Sequence, residues 1–207
     1  TVGFYLLEHH NPATMGTLNA AGKFQAAFFQ SVTTRTAGFA SVSQSGLTNG
    51  SKLLASMLMI IGGSPAGTAG GIKTTTVAVL LLTAISVLRG NKDTECYGRK
   101  ITFEIIRVGI TITLVTFVFW LFGVTVMTVI EPQQKVLDLM FEATSAMATV
   151  GLTADLTPVL SDISHVVLML MMYIGRIGPM TMALIFSGHV DKKNQFRTLP
   201  EAKIMVG

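Results

Sequence analysis

Ile61-Gly62-Gly63-Ser64-Pro65-Ala66-Gly67-Thr68-Ala69-Gly70-Gly71-Ile72-Lys73 lies inside an otherwise apolar segment spanning residues 51–88. As one helix that segment would be about 57 Å long, against a bilayer core of about 30 Å. Gly62, Gly63, Gly67, Gly70, Gly71 and Pro65 break it, because glycine weakens a helix and proline removes one of its hydrogen bonds. Broken backbone at membrane depth is tolerated only where it is buried in protein or lines a water-filled cavity. The stretch therefore reads as a functional element, and the fold as an all-α membrane protein with one broken transmembrane helix, 51–88.

Composition agrees. The 207 residues are 50% hydrophobic and 13% charged, where a soluble chain carries nearer 25% charge. The net charge of +4 is gathered in two clusters rather than a surface stripe, so no nucleic-acid partner is expected. One cluster is Arg89, Lys92, Arg99, Lys100 and Arg107; the other is Lys192, Lys193, Arg197 and Lys203, in the tail 191–207. The positive-inside rule assigns both to the cytoplasm, giving a multi-pass plasma-membrane protein with a cytoplasmic C-terminus.

Enzymatic readings find no support in the residues. Cys96 is the single cysteine, so no intrachain disulfide or cysteine-built metal site is available. His9, His10, His165 and His189 lack metal-ligand spacing, and no nucleophile–base pair can be assembled. Neither an enzyme nor a covalent cofactor is expected. Gly67 to Thr74 imitates a phosphate-binding loop, but Ile72 separates Gly71 from Lys73 and no strand-forming unit precedes it. Gly63, Gly67 and Gly71 also match small-xxx-small helix packing, although paired glycines at both ends and Pro65 suit a loop better.

Val108 to Ile130 carries no charge and forms the centre of a spanning helix over 105–130. A second is expected over 163–188, apolar except for His165 and Arg176. Thr1 to Leu7 reads like the last turns of a helix already under way, which suggests the C-terminal part of a longer membrane protein. Residues 23–35 and 136–148 would form helices of about 20 Å, too short to cross. Each starts on the outer side and is followed by a spanning helix from that same side, so both read as re-entrant pore helices.

These two segments repeat. Phe28-Phe29-Gln30-Ser31-Val32-Thr33-Thr34-Arg35-Thr36-Ala37-Gly38-Phe39 aligns without gaps on Phe141-Glu142-Ala143-Thr144-Ser145-Ala146-Met147-Ala148-Thr149-Val150-Gly151-Leu152. The shared pattern is a short helix, then Thr-apolar-Gly-apolar, then a polar stretch and a long apolar helix. Residues 1–93 form one repeat with its first helix cut short, and residues 94–190 form a second.

A cation leaving water needs its hydration shell replaced by oxygens, which backbone carbonyls of an extended Thr-x-Gly-x loop can supply. Thr36, Ala37, Gly38 and Phe39 in one repeat, and Thr149, Val150, Gly151 and Leu152 in the other, are the expected filter. The preceding helix turns its negative end toward the ion path. One glycine per loop predicts a less stringent filter that still prefers potassium. Arg35 would repel the ion unless turned away, to cap the pore helix or to pair with an acid such as Glu142, and it reads first as a structural support behind the filter. Arg176 is costly in lipid, so it faces the bundle or the pore, where carbonyls of the broken segment can accept its hydrogens. Below the filter, Gly62, Gly63, Ser64, Pro65, Ala66, Gly67, Thr68, Ala69, Gly70 and Gly71, with Arg176, are the expected gate. The alternative is a secondary transporter binding a small solute at its broken helix, which would not need the pore-helix repeat.

The chain resembles the Trk/Ktr/HKT superfamily of potassium transporters, nearest to bacterial KtrB-type membrane subunits. The resemblance rests on Thr34 to Phe39, Gly62 to Thr76, Ala148 to Leu152, and Ile174-Gly175-Arg176-Ile177-Gly178-Pro179. It implies four helix–pore loop–helix units in pseudo-fourfold arrangement around one pore, of which this chain supplies the third and fourth. It implies an intramembrane gating loop at Gly62 to Gly71 with Arg176 beside it. It further implies a homodimer and a cytoplasmic KtrA-like ring that binds nucleotide. Two filter loops cannot encircle an ion, so conduction would need the other half of the pore.

Overall fold

The computed structural model of the chain describes residues 1–65, 69–91 and 93–178. Within them the α-helices are α1 (Val2–Glu8), α2 (Ala20–Thr33), α3 (Asn49–Ile60), α4 (Thr74–Leu88), α5 (Phe103–Ile130), α6 (Val136–Met147) and α7 (Asp162–Ile177). Two short strands, β1 (Glu95–Cys96) and β2 (Arg99–Lys100), pair antiparallel in the basic connection. Tyr97 and Gly98 join them at φ 50 and 73, the left-handed pair that suits a tight hairpin.

Local chemistry fixes several helix starts. The Asn19 side chain accepts from the Gly22 amide at 2.7 Å, Thr48 from Ser51 at 3.3 Å and Ser161 from Ser164 at 3.4 Å, each supplying an acceptor to an otherwise orphaned first-turn donor. Asp138 lies in the first turn of α6, where a negative charge suits the helix dipole.

α5 is long and apolar enough to cross a bilayer. Few of its 28 residues are buried, and Phe117, Val118, Leu121 and Phe122 stand exposed. An apolar belt of this size needs lipid or further protein against it. At the far end of α5, Glu131 accepts from the Ser161 amide and the Ser164 hydroxyl, each at 2.8 Å. Hydrogen bonding from Ser161, supported by Ser164, holds its carboxyl below the usual range.

The run 51–88 divides between α3 and α4, with α3 starting slightly earlier, at Asn49. Ile61 and Ile72 form an isolated parallel bridge. The Gly62 amide donates to the Ile72 carbonyl at 2.8 Å and the Ile72 amide to the Ile60 carbonyl at 3.0 Å. Parallel pairing means that the chain leaves the bridge at Ile72 in the direction in which it entered at Ile61. A Cβ on Gly62 would lie 2.0 Å from the Gly70 carbonyl oxygen, so the neck closes this tightly only with glycine there. The helical residues of α3 and α4 span about 40 Å together, close to the ~42 Å of α5.

α6 is the hub, packing on α3, α5 and α7. Leu139 and every residue from Phe141 to Met147 are buried. Phe141 belongs to a cluster with Ala55, Met59 and Phe4, whereas Leu139, Ala143 and Met147 join Met127, Leu168 and Met171. The Trp120 indole donates to the Thr144 hydroxyl at 2.8 Å, pinning α5 to α6. Lys52 Nζ and the Asp138 carboxylate, 2.6 Å apart with both side chains largely buried, pin α3 to α6. α2, the counterpart of α6, packs chiefly on α1. Phe28 is therefore 55% exposed, where its repeat equivalent Phe141 is 0% exposed.

Several expected bounds shift by two or three residues, α2 running Ala20–Thr33 and α5 starting at Phe103; one shifts much further. The helix expected over 163–188 ends at Ile177, where Gly178 adopts φ 80, a conformation that glycine takes readily and that stops a helix. Residues 179–207, including the rest of that span and the tail 191–207, lie outside the described residues.

Candidate functional site

Both Thr-x-Gly-x loops have the same unusual backbone. Thr36 and Gly38 take φ 66 and 75; Thr149 and Gly151 take 54 and 90. A β-branched residue in the left-handed region is a genuine outlier, costing about 1–3 kcal/mol, and persists only where its surroundings enforce it. Left-handed residues at every second position also rotate successive peptide planes, so that the carbonyls no longer alternate as in a strand.

The two loops meet at their glycines. A Cβ on Gly38 would lie 2.3 Å from the Val150 carbonyl oxygen, and one on Gly151 would lie 3.8 Å from the Gly38 Cα. The structure thus brings the expected filter residues of both repeats together at one place.

Each loop is clamped from its own short helix by a buried polar side chain. On α2, Gln30 exchanges hydrogen bonds with Gln44 at 2.6 and 3.0 Å, and Gln44 donates to the Val42 carbonyl at 2.8 Å. On α6, Glu142 accepts from the Thr153 hydroxyl at 2.5 Å, the Ala154 amide at 2.9 Å and the Thr157 hydroxyl at 3.0 Å. Thr33 adds a hydrogen bond of 2.5 Å to the Phe39 carbonyl. The Ser45 hydroxyl donates to the Asp155 carboxylate at 2.5 Å, tying the two post-filter stretches to each other.

These partners exclude one of the alternatives that the sequence leaves open for Arg35. Glu142 is occupied by its own loop, and Arg35 does not pair with it. Instead Arg35 Nη1 donates to the Ile61 carbonyl at 2.8 Å and the Gly62 carbonyl at 3.3 Å. Arg35 thus places a cation on the entrance carbonyls of the interruption. No spacing signal points to that contact, since 26 positions separate the partners.

The return limb of the interruption runs under the second loop. A Cβ on Gly70 would lie 2.4 Å from Thr149 Oγ1 and 2.7 Å from the Ala148 carbonyl oxygen. Thr149 Oγ1 is itself buried, with no hydrogen-bond partner among the described residues. Lys73 Nζ donates to the Ala69 carbonyl at 2.5 Å. Arg176 lines a cavity of about 230 Å³ together with Ala69, Gly70, Gly71 and Lys73, so it shares a space with the loop whose neighbour it was expected to be. Its α7 neighbour Gly175 packs on the end of α6, where a Cβ would lie 1.9 Å from the Met147 carbonyl oxygen. Of the expected gate residues, Ala66, Gly67 and Thr68 lie outside the described residues.

The regular structure of the described residues is almost entirely helical, and one helix, α5, is long and apolar enough to cross a bilayer. Over residues 2–197 the chain matches the TrkH family, described as cation transport protein, and it belongs to that family. It is 37% identical over 203 residues to Ktr system potassium uptake protein B of Bacillus subtilis, covering 98% of this chain and 45% of that protein. The protein of the same name from Vibrio alginolyticus is 39% identical over 187 residues, 90% of this chain and 41% of the relative. Potassium/sodium uptake protein NtpJ of Enterococcus hirae is 34% identical over 206 residues, 98% of this chain and 46% of the relative. The chain spans less than half the length of each of these relatives.

Proposed function

We propose that the chain forms part of the potassium-translocating membrane subunit of a bacterial uptake system. Thr36 to Phe39 and Thr149 to Leu152 line its filter, and Gly62 to Gly71 with Arg176 form its gate. The observation that carries this reading is the paired left-handed backbone of Thr36/Gly38 and Thr149/Gly151, held at mutual contact. Strain of that kind, repeated at matching positions, is the mark of a conformation kept for use. Carbonyl oxygens presented by such loops suit a dehydrated potassium ion. The buried Thr149 hydroxyl, without a hydrogen-bond partner among the described residues, adds an oxygen to the second loop.

The interruption supports a gate because it passes beneath that loop without joining the helical ladder. Arg176 beside it adds positive charge to the same cavity. The relatives' names support potassium as substrate, with sodium in one of them. The word "system" in two of those names supports a partner component, read here as a cytoplasmic KtrA-like ring that carries the nucleotide. The remaining assignments are pseudo-fourfold assembly with a further pair of repeats, a homodimer, and a plasma-membrane location with the C-terminus in the cytoplasm.

The test is expression of the full-length parent protein with its regulator in a potassium-uptake-deficient cell. Growth at limiting potassium and saturable rubidium uptake are expected. Failure of rescue, together with saturable uptake of an organic solute, would replace this reading with a solute carrier using the broken helix.

A further inference from the structure

The filter and the gating loop meet at equivalent positions of both repeats, by two different chemistries. In the repeat alignment Arg35 corresponds to Ala148, the residue immediately before the left-handed threonine in each loop. On the α6 side the Gly70 backbone packs directly on the loop, against the Ala148 carbonyl and the Thr149 hydroxyl. On the α2 side it is a single guanidinium reaching the Ile61 and Gly62 carbonyls. Those carbonyls stand at the entrance of the loop. Ile61 caps α3 at φ −83 and ψ 86, outside helical geometry, so the helix leaves carbonyls there in need of donors.

We propose that Arg35 is a positioning residue that couples the first filter loop to the entrance limb of the gate. The proposal rests on the filter and gate assignment above. Arg35 has little freedom at its own end, because its amide closes the end of α2 on the Val32 carbonyl at 2.9 Å and Thr36 follows it at φ 66. Movement of Ile61 and Gly62 away from the pore therefore either breaks both guanidinium bonds or pulls on Thr36. A charged donor at this point also directs its positive charge into two carbonyl dipoles rather than along the ion path. The second repeat needs no such arm, because its loop lies directly on Gly70.

The experiment uses the full-length protein with its regulator in proteoliposomes and reads rubidium flux and the rubidium-to-sodium ratio. Four variants are compared: Arg35→Gln, Arg35→Lys, a deletion within residues 63–69, and that deletion combined with Arg35→Gln. Arg35→Gln is expected to raise regulator-independent flux roughly tenfold, the scale of losing a charge-assisted bond, and to lower the ratio. Arg35→Lys, which keeps the charge on a shorter side chain, is expected to fall between. The combined variant should conduct no more than the deletion alone, since both remove the same restraint. Effects that multiply in the combined variant, or an Arg35→Gln protein with wild-type flux and ratio, overturn the coupling alone. A deletion that leaves regulator dependence intact overturns the gate assignment, and the coupling with it. Should Arg35→Gln not fold, Arg35→Lys with and without the deletion supports the same decision.

Discussion

Gly38 faces the Val150 carbonyl oxygen so closely that even a methyl group on its Cα would lie 2.3 Å away. The contact joins the two loops across a sequence gap that no local interaction bridges. It makes the absence of a side chain at Gly38 a requirement of the neighbouring repeat as well as of its own φ of 75.

Gly38→Ser in the full-length protein should therefore weaken discrimination against sodium. Forcing a side chain into that space costs about 1–3 kcal/mol of backbone strain, which the loop relieves by moving its carbonyls, and the potassium-to-sodium ratio falls with their displacement. Competition of sodium against rubidium uptake measures it. An unchanged ratio in a folded, conducting variant would remove Gly38 from the filter.

Gly175→Ala should destabilise more than Gly123→Ala. At Gly175 the new methyl meets backbone, 1.9 Å from the Met147 carbonyl oxygen; at Gly123 it meets the Met171 sulfur at 2.4 Å. A methionine side chain can swing aside, whereas α7 must back away from α6 as a body. Overpacking of about 1–3 kcal/mol is expected at Gly175 and less at Gly123. Thermal unfolding in detergent ranks the two, and equal midpoints would contradict the packing described here.

Breaking the Lys52–Asp138 pair should be costly, because both side chains are largely buried, at 8% and 19% exposure. Lys52→Met or Asp138→Asn alone leaves a charge without its partner, at about 3–5 kcal/mol. Removing both at once should recover much of that loss. A double variant no better than the worse single one would show that the two residues do not act as a pair.

The apolar helices were legible from their periodic or uniformly apolar signature, and the interruption from the density of glycines around Pro65, which a helix does not sustain. The repeat was legible from Thr36/Thr149 and Gly38/Gly151, and the shared backbone conformation now gives a physical meaning to those identities. Tertiary pairings were not legible. Arg35 had carbonyl acceptors and an acid equally open to it by residue type, and only the folded path of the loop puts Ile61 and Gly62 within reach. Glu142 looked like a free partner because the hydroxyls that claim it, Thr153 and Thr157, follow the loop rather than flank it. The early end of α7 turns on one φ angle at Gly178, and no count of apolar residues reports that.

The contrast between Phe28 and Phe141 has a consequence of its own. Among the described residues, α3 packs on the second through Ala55 and Met59, one turn apart, while α2 packs chiefly on α1 and leaves the first exposed. One residue type at matched positions of an aligned motif thus serves as core in one place and as apolar surface in the other, a surface that lipid or protein can cover.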